Sequence, residues 1–420
     1  MSNIRLVSPF IVAILFSGFS IFLQVSPIST SSYYSDIIGE PLESIVRYTS
    51  LYFVAYAILQ IPVGVSLDKI GVYILLPLGL FITFISCILH WISQDVVMLS
   101  ISRLLTGTGC AVAYISAVFI AASTFQKKYL ALCIAIIEIA STIGALIAGG
   151  VLDHAINYIG WDASNIIIIV FSLILFLVSV KFVYKQKSYL NNNKTTTSEK
   201  LMQSIINCFV LLKYKKILAI VIYCFLTWMI IMSFAGFWIK NYFITTHEFP
   251  SYKALWLSQI YWGSFLLASL IVGNFAKNMK SSTLIVVLLA LLNTLSLSYF
   301  VVPWLLNFYT LCIIFICAGI AASGIIIALS MLVFIVPEES KGSAIALTNT
   351  FIVLGGFIGQ ILFGYLTEVN YFNSFLAKLN PDSLIYYAAI FMLPTMALIS
   401  LVIFLLAFYK SLVKKQQVIL

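Results

Sequence analysis

Twelve apolar runs, each close to the length of a bilayer-crossing helix, leave this chain few folds to choose from. They fall at about 7–29, 45–67, 72–91, 96–121, 129–152 and 163–184, then at about 215–239, 252–276, 282–302, 307–335, 341–367 and 384–408. A helix needs roughly 20 apolar residues to span the hydrocarbon layer. Water does not reach that layer to satisfy free backbone groups, so a span must be a helix or part of a closed barrel. The runs lack the two-residue alternation of a barrel strand, which selects helices. With 62% hydrophobic and 9% charged residues, the chain carries more apolar surface than one water-soluble core could hide. The predicted class is an all-α integral membrane protein with twelve transmembrane helices.

The runs form two sets of six. Between them lies KQKSYLNNNKTTTSEK, Lys185 to Lys200, too polar to pack, followed by the basic stretch Lys213 to Lys216. The expected organisation is an amino-terminal six-helix bundle over 1–184, a cytoplasmic linker over 185–214, and a carboxy-terminal six-helix bundle with a short basic tail over 215–420. An even number of spans puts both termini on one side. Eighteen of the 23 Lys and Arg residues fall on that side, which the positive-inside rule makes cytoplasmic. Acids such as Asp36, Glu40, Glu43, Asp95, Asp153 and Asp162 fall opposite. The net charge of +9 therefore reports topology and anionic lipid headgroups, and calls for no nucleic-acid partner. The basic start, MSNIRLVSPF, runs into a span-length apolar stretch with no small-residue cleavage site, and is read as a retained first helix. Enrichment in Ile, Lys, Asn and Tyr suits an AT-rich bacterial genome, hence an inner membrane.

An internal repeat links the two sets. Gly144, Gly149 and Asp153 have counterparts 215 residues later in Gly359, Gly364 and Glu368, and Gly109 maps to Gly324 by the same offset. Glycines at one offset predict helix contacts repeated in two pseudo-symmetric bundles related by an axis along the membrane normal.

Two charges lie clearly inside spans. Arg103 sits about six residues into segment 4, roughly 9 Å deep at 1.5 Å per residue, and Glu138 lies near the middle of segment 5. A charge at such depth costs at least roughly 2.5–3.5 kcal/mol, so each should face a polar pathway or the other rather than lipid. Glu138 is then a candidate proton carrier. Arg103 would orient it, hold an anionic part of a substrate, or cap backbone carbonyls. Tyr48, Tyr52, Tyr56 and Gln60 recur every four residues on one face of segment 2. Gln259, Tyr261 and Trp262 cluster in segment 8, Trp228 lies in segment 7, and Gln24 lies near the outer end of segment 1. Lys240 and Lys253 add positive potential on the outer side. His90, His154 and His247 fall at outer loops without partners at zinc or triad spacing, and the seven Cys show no CxxC pair, so no metal site is expected. No phosphate-binding loop of the GxxxxGKS type occurs, which leaves ATP-driven pumping without support. No clustered nucleophile and base points to an enzyme.

The stretch GVSLDKIGVY, Gly64 to Tyr73, resembles the GxxxDRxGRR loop between the second and third helices of the major facilitator superfamily. Gly64, Asp68 and Gly71 match, Lys69 stands for the Arg, and Val72 and Tyr73 replace the basic pair. Arg103, Gly107 and Gly109 resemble the family's RxxxGxG element, and PEESKGSAIALTN, Pro337 to Asn349, resembles its entrance to segment 11. Segment 5 keeps Gly144, Gly149 and Gly150 of the antiporter pattern GxxxGPxxGG, but Ala140, Ala145 and Ala148 break it. The missing proline argues against a drug-exporting antiporter.

The resemblance implies two six-helix bundles that rock about a central cavity, with Gly64, Asp68, Lys69 and Gly71 forming a conformational latch and Lys127 or Lys128 as local partners. It also implies a monomeric secondary transporter without cofactors, moving a small polar or anionic metabolite by alternating access. Proton-coupled symport through Glu138 is the expected mode. Substrate contacts are expected from Arg103, Tyr52, Tyr56, Gln24, Gln259, Trp262 and Trp228. The alternatives are an exporter working as a proton antiporter, or a non-transporting solute sensor of the same fold.

Overall fold

The computed structural model describes residues 2–125, 130–183, 209–272, 279–301, 307–336, 341–368 and 386–413. Most of the predicted linker, Lys127, Lys128, Pro337 to Ser340 and the loop from Gly273 to Asn278 lie outside the described residues, as do the side chains of Asp68 and Lys69. Among the described residues every regular element is helical, and twelve helical spans are long and apolar enough to cross a membrane. The chain divides into two compact units, Met1–Gln203 and Ser204–Leu420.

In the first unit the helices are α1 (Ser2–Val25), α2 (Pro27–Ile38), α3 (Leu42–Thr49), α4 (Leu51–Lys69), α5 (Val72–Trp91), α6 (Val96–Cys110), α7 (Ala113–Thr124), α8 (Leu130–Leu146), α9 (Leu152–Ile159) and α10 (Trp161–Phe182). A π-helical turn, Ile147–Val151, joins α8 to α9. The second unit holds α11 (Lys215–Ile230), a π-helical stretch Ile231–Trp238, α12 (Ile239–His247), α13 (Ser251–Val272), α14 (Met279–Ser298), α15 (Phe308–Ala322), α16 (Gly324–Ile335), α17 (Lys341–Glu368) and α18 (Tyr387–Val413). Several predicted spans are thus pairs of helices with a break at membrane depth. Apolar composition alone carries no sign of those breaks.

The repeat seen in the glycine spacing returns as a repeat in packing. In the first unit α1 packs on α8, α4 on α6, and α5 on both α6 and α10. In the second, α11 packs on α17, α13 on α15, and α14 on both α15 and α18. These are the same pairs of spans in the same order. The paired glycines sit at the same crossings. A Cβ on Gly144 would run into the backbone carbonyl of Gly18 on α1, and one on Gly359 would meet the Met229 carbonyl at 2.6 Å. Lipid offers no hydrophobic drive between helices, so close backbone approach through small residues supplies the dispersion contact that holds each pair.

One element lies beyond the sequence reading. α1 stops and the chain restarts at Pro27 as α2, which ends at Gly39 in the left-handed region, φ +74°. Its Tyr34 enters a buried cluster with Ile45, Leu99 and Trp161, and its hydroxyl donates to the His90 carbonyl. Tyr33 stacks on Trp161 at 3.6 Å, and the Trp91 indole N–H donates to Asp162 Oδ1 at 2.9 Å. This end of the first unit is therefore a packed aromatic cap.

The crossings give a direct test. Gly144→Ala should destabilise the protein by about 1–3 kcal/mol, the usual cost of overpacking. Gly263→Ala, whose added Cβ would meet nothing within 4 Å, should leave stability unchanged or slightly raised. Thermal unfolding of the two purified variants measures the difference.

Candidate functional site

Arg103 is 1% exposed in the middle of the first unit, and its partners are backbone oxygens. Its Nε donates to the Thr49 carbonyl at 3.0 Å and its Nη1 to the Leu23 carbonyl at 3.0 Å. Both acceptors are products of helix breaks. Leu23 would accept from residue 27 in a continuous helix, but Pro27 has no N–H; Ser26 Oγ shares that carbonyl at 3.0 Å. At the α3 to α4 break the Phe53 N–H turns to Ser50 at 3.0 Å, which frees the Thr49 carbonyl. The guanidinium lies 5.2 Å from the centre of the Tyr52 ring, within cation–π range. Arg103 thus fastens α6 to the broken ends of two other spans.

The Tyr52 face of α4 points inward. Tyr52 is wholly buried and its hydroxyl pairs with Ser20 Oγ on α1 at 3.1 Å. Tyr56 stacks on Tyr52 at 5.6 Å and hydrogen-bonds Gln60. Gln60 is also fully buried, and its amide donates to the Ala111 carbonyl at 3.4 Å, at the break between α6 and α7. Gln24 is buried near the end of α1.

Glu138 belongs to a different cluster. Its carboxyl, half-buried on α8, is hydrogen-bonded to the Tyr114 hydroxyl of α7, with Tyr56 close enough to interact electrostatically. The two intramembrane charges therefore do not pair with each other. Arg103 is committed to carbonyls, and Glu138 to a tyrosine. Tyr114 went unnoticed in the sequence because a single Tyr in an apolar run has no periodic signature.

In the second unit, Trp228, Gln259, Tyr261 and Trp262 come together from α11 and α13. Trp228 and Trp262 meet edge to face at 6.4 Å, and Tyr261 and Trp262 at 6.3 Å. The Trp228 and Trp262 indole N–H groups, the Gln259 amide nitrogen and the Tyr261 hydroxyl are buried without a hydrogen-bond partner. Buried donors are nearly always satisfied in folded proteins, so the idle indole N–H groups of the touching Trp228 and Trp262, with the Gln259 amide one helical turn from Trp262, mark a place where a ligand can supply acceptors. Lys240, expected along an outer approach, is 9% exposed inside the fold, and Lys253 lies 5.8 Å from the Phe308 ring.

The π-helical stretches are tied down in the same manner. Gln360 of α17 donates to the Met232 carbonyl at 3.1 Å and receives the Trp238 indole N–H on its own carbonyl at 3.2 Å. Ser258 Oγ donates to the Ala235 carbonyl at 2.7 Å, and Ser29 Oγ to the Ala148 carbonyl at 2.8 Å. π turns leave carbonyls unmatched, and polar side chains from neighbouring helices fill them here. Of the residues expected to form a latch, Gly71 has a positive φ of +92°, which glycine adopts without strain. Among the described residues no group of His, Cys, Asp and Glu is arranged to hold a metal, and the described cysteines are unpaired.

The fold has well-defined counterparts. A crystal structure of the nucleoside transporter NupG superposes with a TM-score of 0.72 at 15% identity, covering 95% of this chain and 100% of that one. A bacterial homologue of the human lysosomal transporter Spinster, inward-facing and occupied, gives 0.68 at 12% identity, covering 95% and 96%. Its unoccupied form gives 0.67 at 13% identity, covering 96% and 95%. No curated protein matches the sequence significantly. Residues 9–360 match the profile described as Major Facilitator Superfamily. Twelve apolar helices, two units with the same internal packing and this profile over most of its length identify the chain as a multi-pass membrane protein belonging to the Major Facilitator Superfamily.

Proposed function

We propose that the chain is a proton-coupled symporter that carries a small polar metabolite by alternating access, as a monomer in a bacterial inner membrane with both termini cytoplasmic. The observation that supports this reading is the Glu138 and Tyr114 pair. Glu138 sits within an apolar helix, and a hydroxyl rather than a cation is its side-chain partner. A tyrosine hydroxyl donates to a carboxylate and accepts from a carboxylic acid. The bond therefore survives both protonation states, and a proton can come and go without breaking an ion pair. A buried membrane carboxyl of this kind is the usual equipment of a proton relay.

The substrate is read from the donors of the second unit. Two indole N–H groups and the Gln259 amide, set among aromatic faces, suit a solute that presents several acceptors and one flat face. Trp228, Gln259 and Trp262 are its proposed contacts there. Within the first unit, Tyr52, Tyr56 and Gln24 are proposed to line that unit's polar face. Arg103 serves in this reading as the brace that keeps the polar face of α4 in place. Gly64, Asp68, Lys69 and Gly71 act as the latch, the Asp68 carboxylate engaging a helix amino terminus when the cytoplasmic side closes.

A thermal-shift panel of nucleosides, the class named for NupG, together with sugars, amino acids and organic acids identifies the solute, because a ligand stabilises the state it binds. Hits are then tested for flux in proteoliposomes. Glu138→Gln should abolish uptake driven by a pH gradient while leaving substrate exchange intact; unchanged gradient-driven uptake would reject the proton role. Gln259→Ala should weaken binding by about three- to tenfold, the range of one lost hydrogen bond. Asp68→Asn should insert normally and turn over more slowly at equal substrate affinity. Gradient-driven efflux in place of uptake would mark an antiporter, and binding without flux a sensor.

A further inference from the structure

Arg103 keeps one nitrogen in reserve. Its Nη2 is buried and has no hydrogen-bond partner, although Nε and Nη1 are both engaged. Arg103 lines a small, partly open cavity within the first unit, between α1, α2, α5, α6 and α10, whose walls include Thr30, Cys87, His90, Thr106 and Asn165. His90 is the second unusual wall residue. Both of its ring nitrogens are buried and without a partner, while its backbone carbonyl accepts from Tyr34. Two nitrogen-bearing side chains with idle donors therefore meet at one cavity that no part of the proposed transport path uses.

The charge around this cavity is one-sided. No Asp or Glu is among its lining residues. The groups that act on Arg103 electrostatically are Tyr52, Cys110, Tyr34 and Cys87, with no carboxylate among them. Two backbone carbonyls offer dipoles to the guanidinium but no compensating charge. A cation removed from water on these terms is expensive unless an anion accompanies it. The threonine hydroxyls in the wall, and one Asn165 amide hydrogen, are already engaged. Thr30 donates to the Ser26 carbonyl, Thr106 to the Ser102 carbonyl and Asn165 to the Trp161 carbonyl. Arg103 Nη2, one His90 ring N–H and the second Asn165 amide N–H remain as donors, the first two on nitrogens with no hydrogen-bond partner at all. The room available is about that of a single water-sized occupant, which excludes phosphate, sulfate and carboxylates.

We propose that this cavity binds one monatomic anion of the chloride class, held by Arg103 Nη2 and a His90 ring N–H. The ion completes the Arg103 brace: it neutralises the guanidinium where α6 meets the broken ends of α1 and α3, and it ties α5 to the same point through His90. It is a resident structural ion, separate from the transported solute.

The test uses the full-length protein in detergent at constant ionic strength, with gluconate replaced stepwise by chloride or bromide, and with sulfate as a control. Thermal stability should rise and saturate with either halide and remain flat with sulfate. Arg103→Ala removes the helix brace as well as the donor, so the decisive variant is His90→Ala, which keeps Arg103 and the backbone carbonyl that Tyr34 uses. Its half-saturating halide concentration should increase about tenfold or more, the weight of one hydrogen bond to an ion. Bromide-soaked crystals should show an anomalous peak beside Arg103 Nη2. Stability indifferent to halide would mean that only water occupies the cavity, and would overturn the proposal. A halide response unaltered by His90→Ala, or an anomalous peak elsewhere, would overturn it equally. Loss of proton-driven uptake in Glu138→Gln bears on neither result, so the two proposals stand or fall separately.

Discussion

Backbone hydrogen bonding at membrane depth is the constraint on which this structure depends. A continuous helix satisfies its own carbonyls, but this chain breaks its spans at Pro27, at Ser50, between Cys110 and Ala113, and in two π-helical stretches. Each break frees polar groups where no bulk water is available. Arg103, Gln60, Gln360, Ser29 and Ser258 reach across from other helices to engage them. Arg103 and Gln60, conspicuous already in the sequence, therefore serve as fasteners. They allow irregular helices to exist inside an apolar fold, and they hold particular pairs of helices together while doing so.

The same economy is visible in both units. Gly144 and Gly359 occupy equivalent crossings, each admitting a partner backbone, and the pairings of spans match one for one. The polar furnishing on top of that shared frame differs. The first unit carries the buried Arg103, the Glu138 carboxyl and a tyrosine stripe. The second carries tryptophans and a glutamine with idle donors, and an aromatic interior around Phe234 in contact with Phe300, Phe315 and Phe363. Common packing supplies a common mechanical part. Divergent polar groups give the two units different chemical surroundings on that common frame.

Glu138 and Arg103 show how far depth in the membrane can be read as function. Their insertion cost singles out both from composition and position alone. Their partners separate them. A guanidinium has five donors in a fixed fork and suits convergent carbonyls from several strands of backbone. A carboxyl facing a hydroxyl keeps its freedom to gain or lose a proton. Equal cost of burial thus leads to two different settings, backbone carbonyls for Arg103 and a tyrosine for Glu138, decided by which groups the neighbouring helices bring.

The sequence by itself determined the helical class, the twelve spans, the two sets of six, the repeated glycines and the family resemblance. All of these follow from local apolarity and from spacing along the chain, which the bilayer turns directly into helices of a set length. It also flagged Arg103, Glu138, Trp228, Gln259 and Trp262, since charge and aromatic donors are conspicuous in apolar surroundings. Tertiary structure alone decided that Arg103 goes to the Leu23 and Thr49 carbonyls, that Tyr114 meets Glu138, and that Tyr52 and Gln60 turn inward. It alone placed α2 over a closed aromatic cap and put His90 and Arg103 on one cavity. These outcomes depend on which helices touch and where they break. A periodic pattern records that a face is polar; what that face will meet is set by the crossing of helices far apart in the chain.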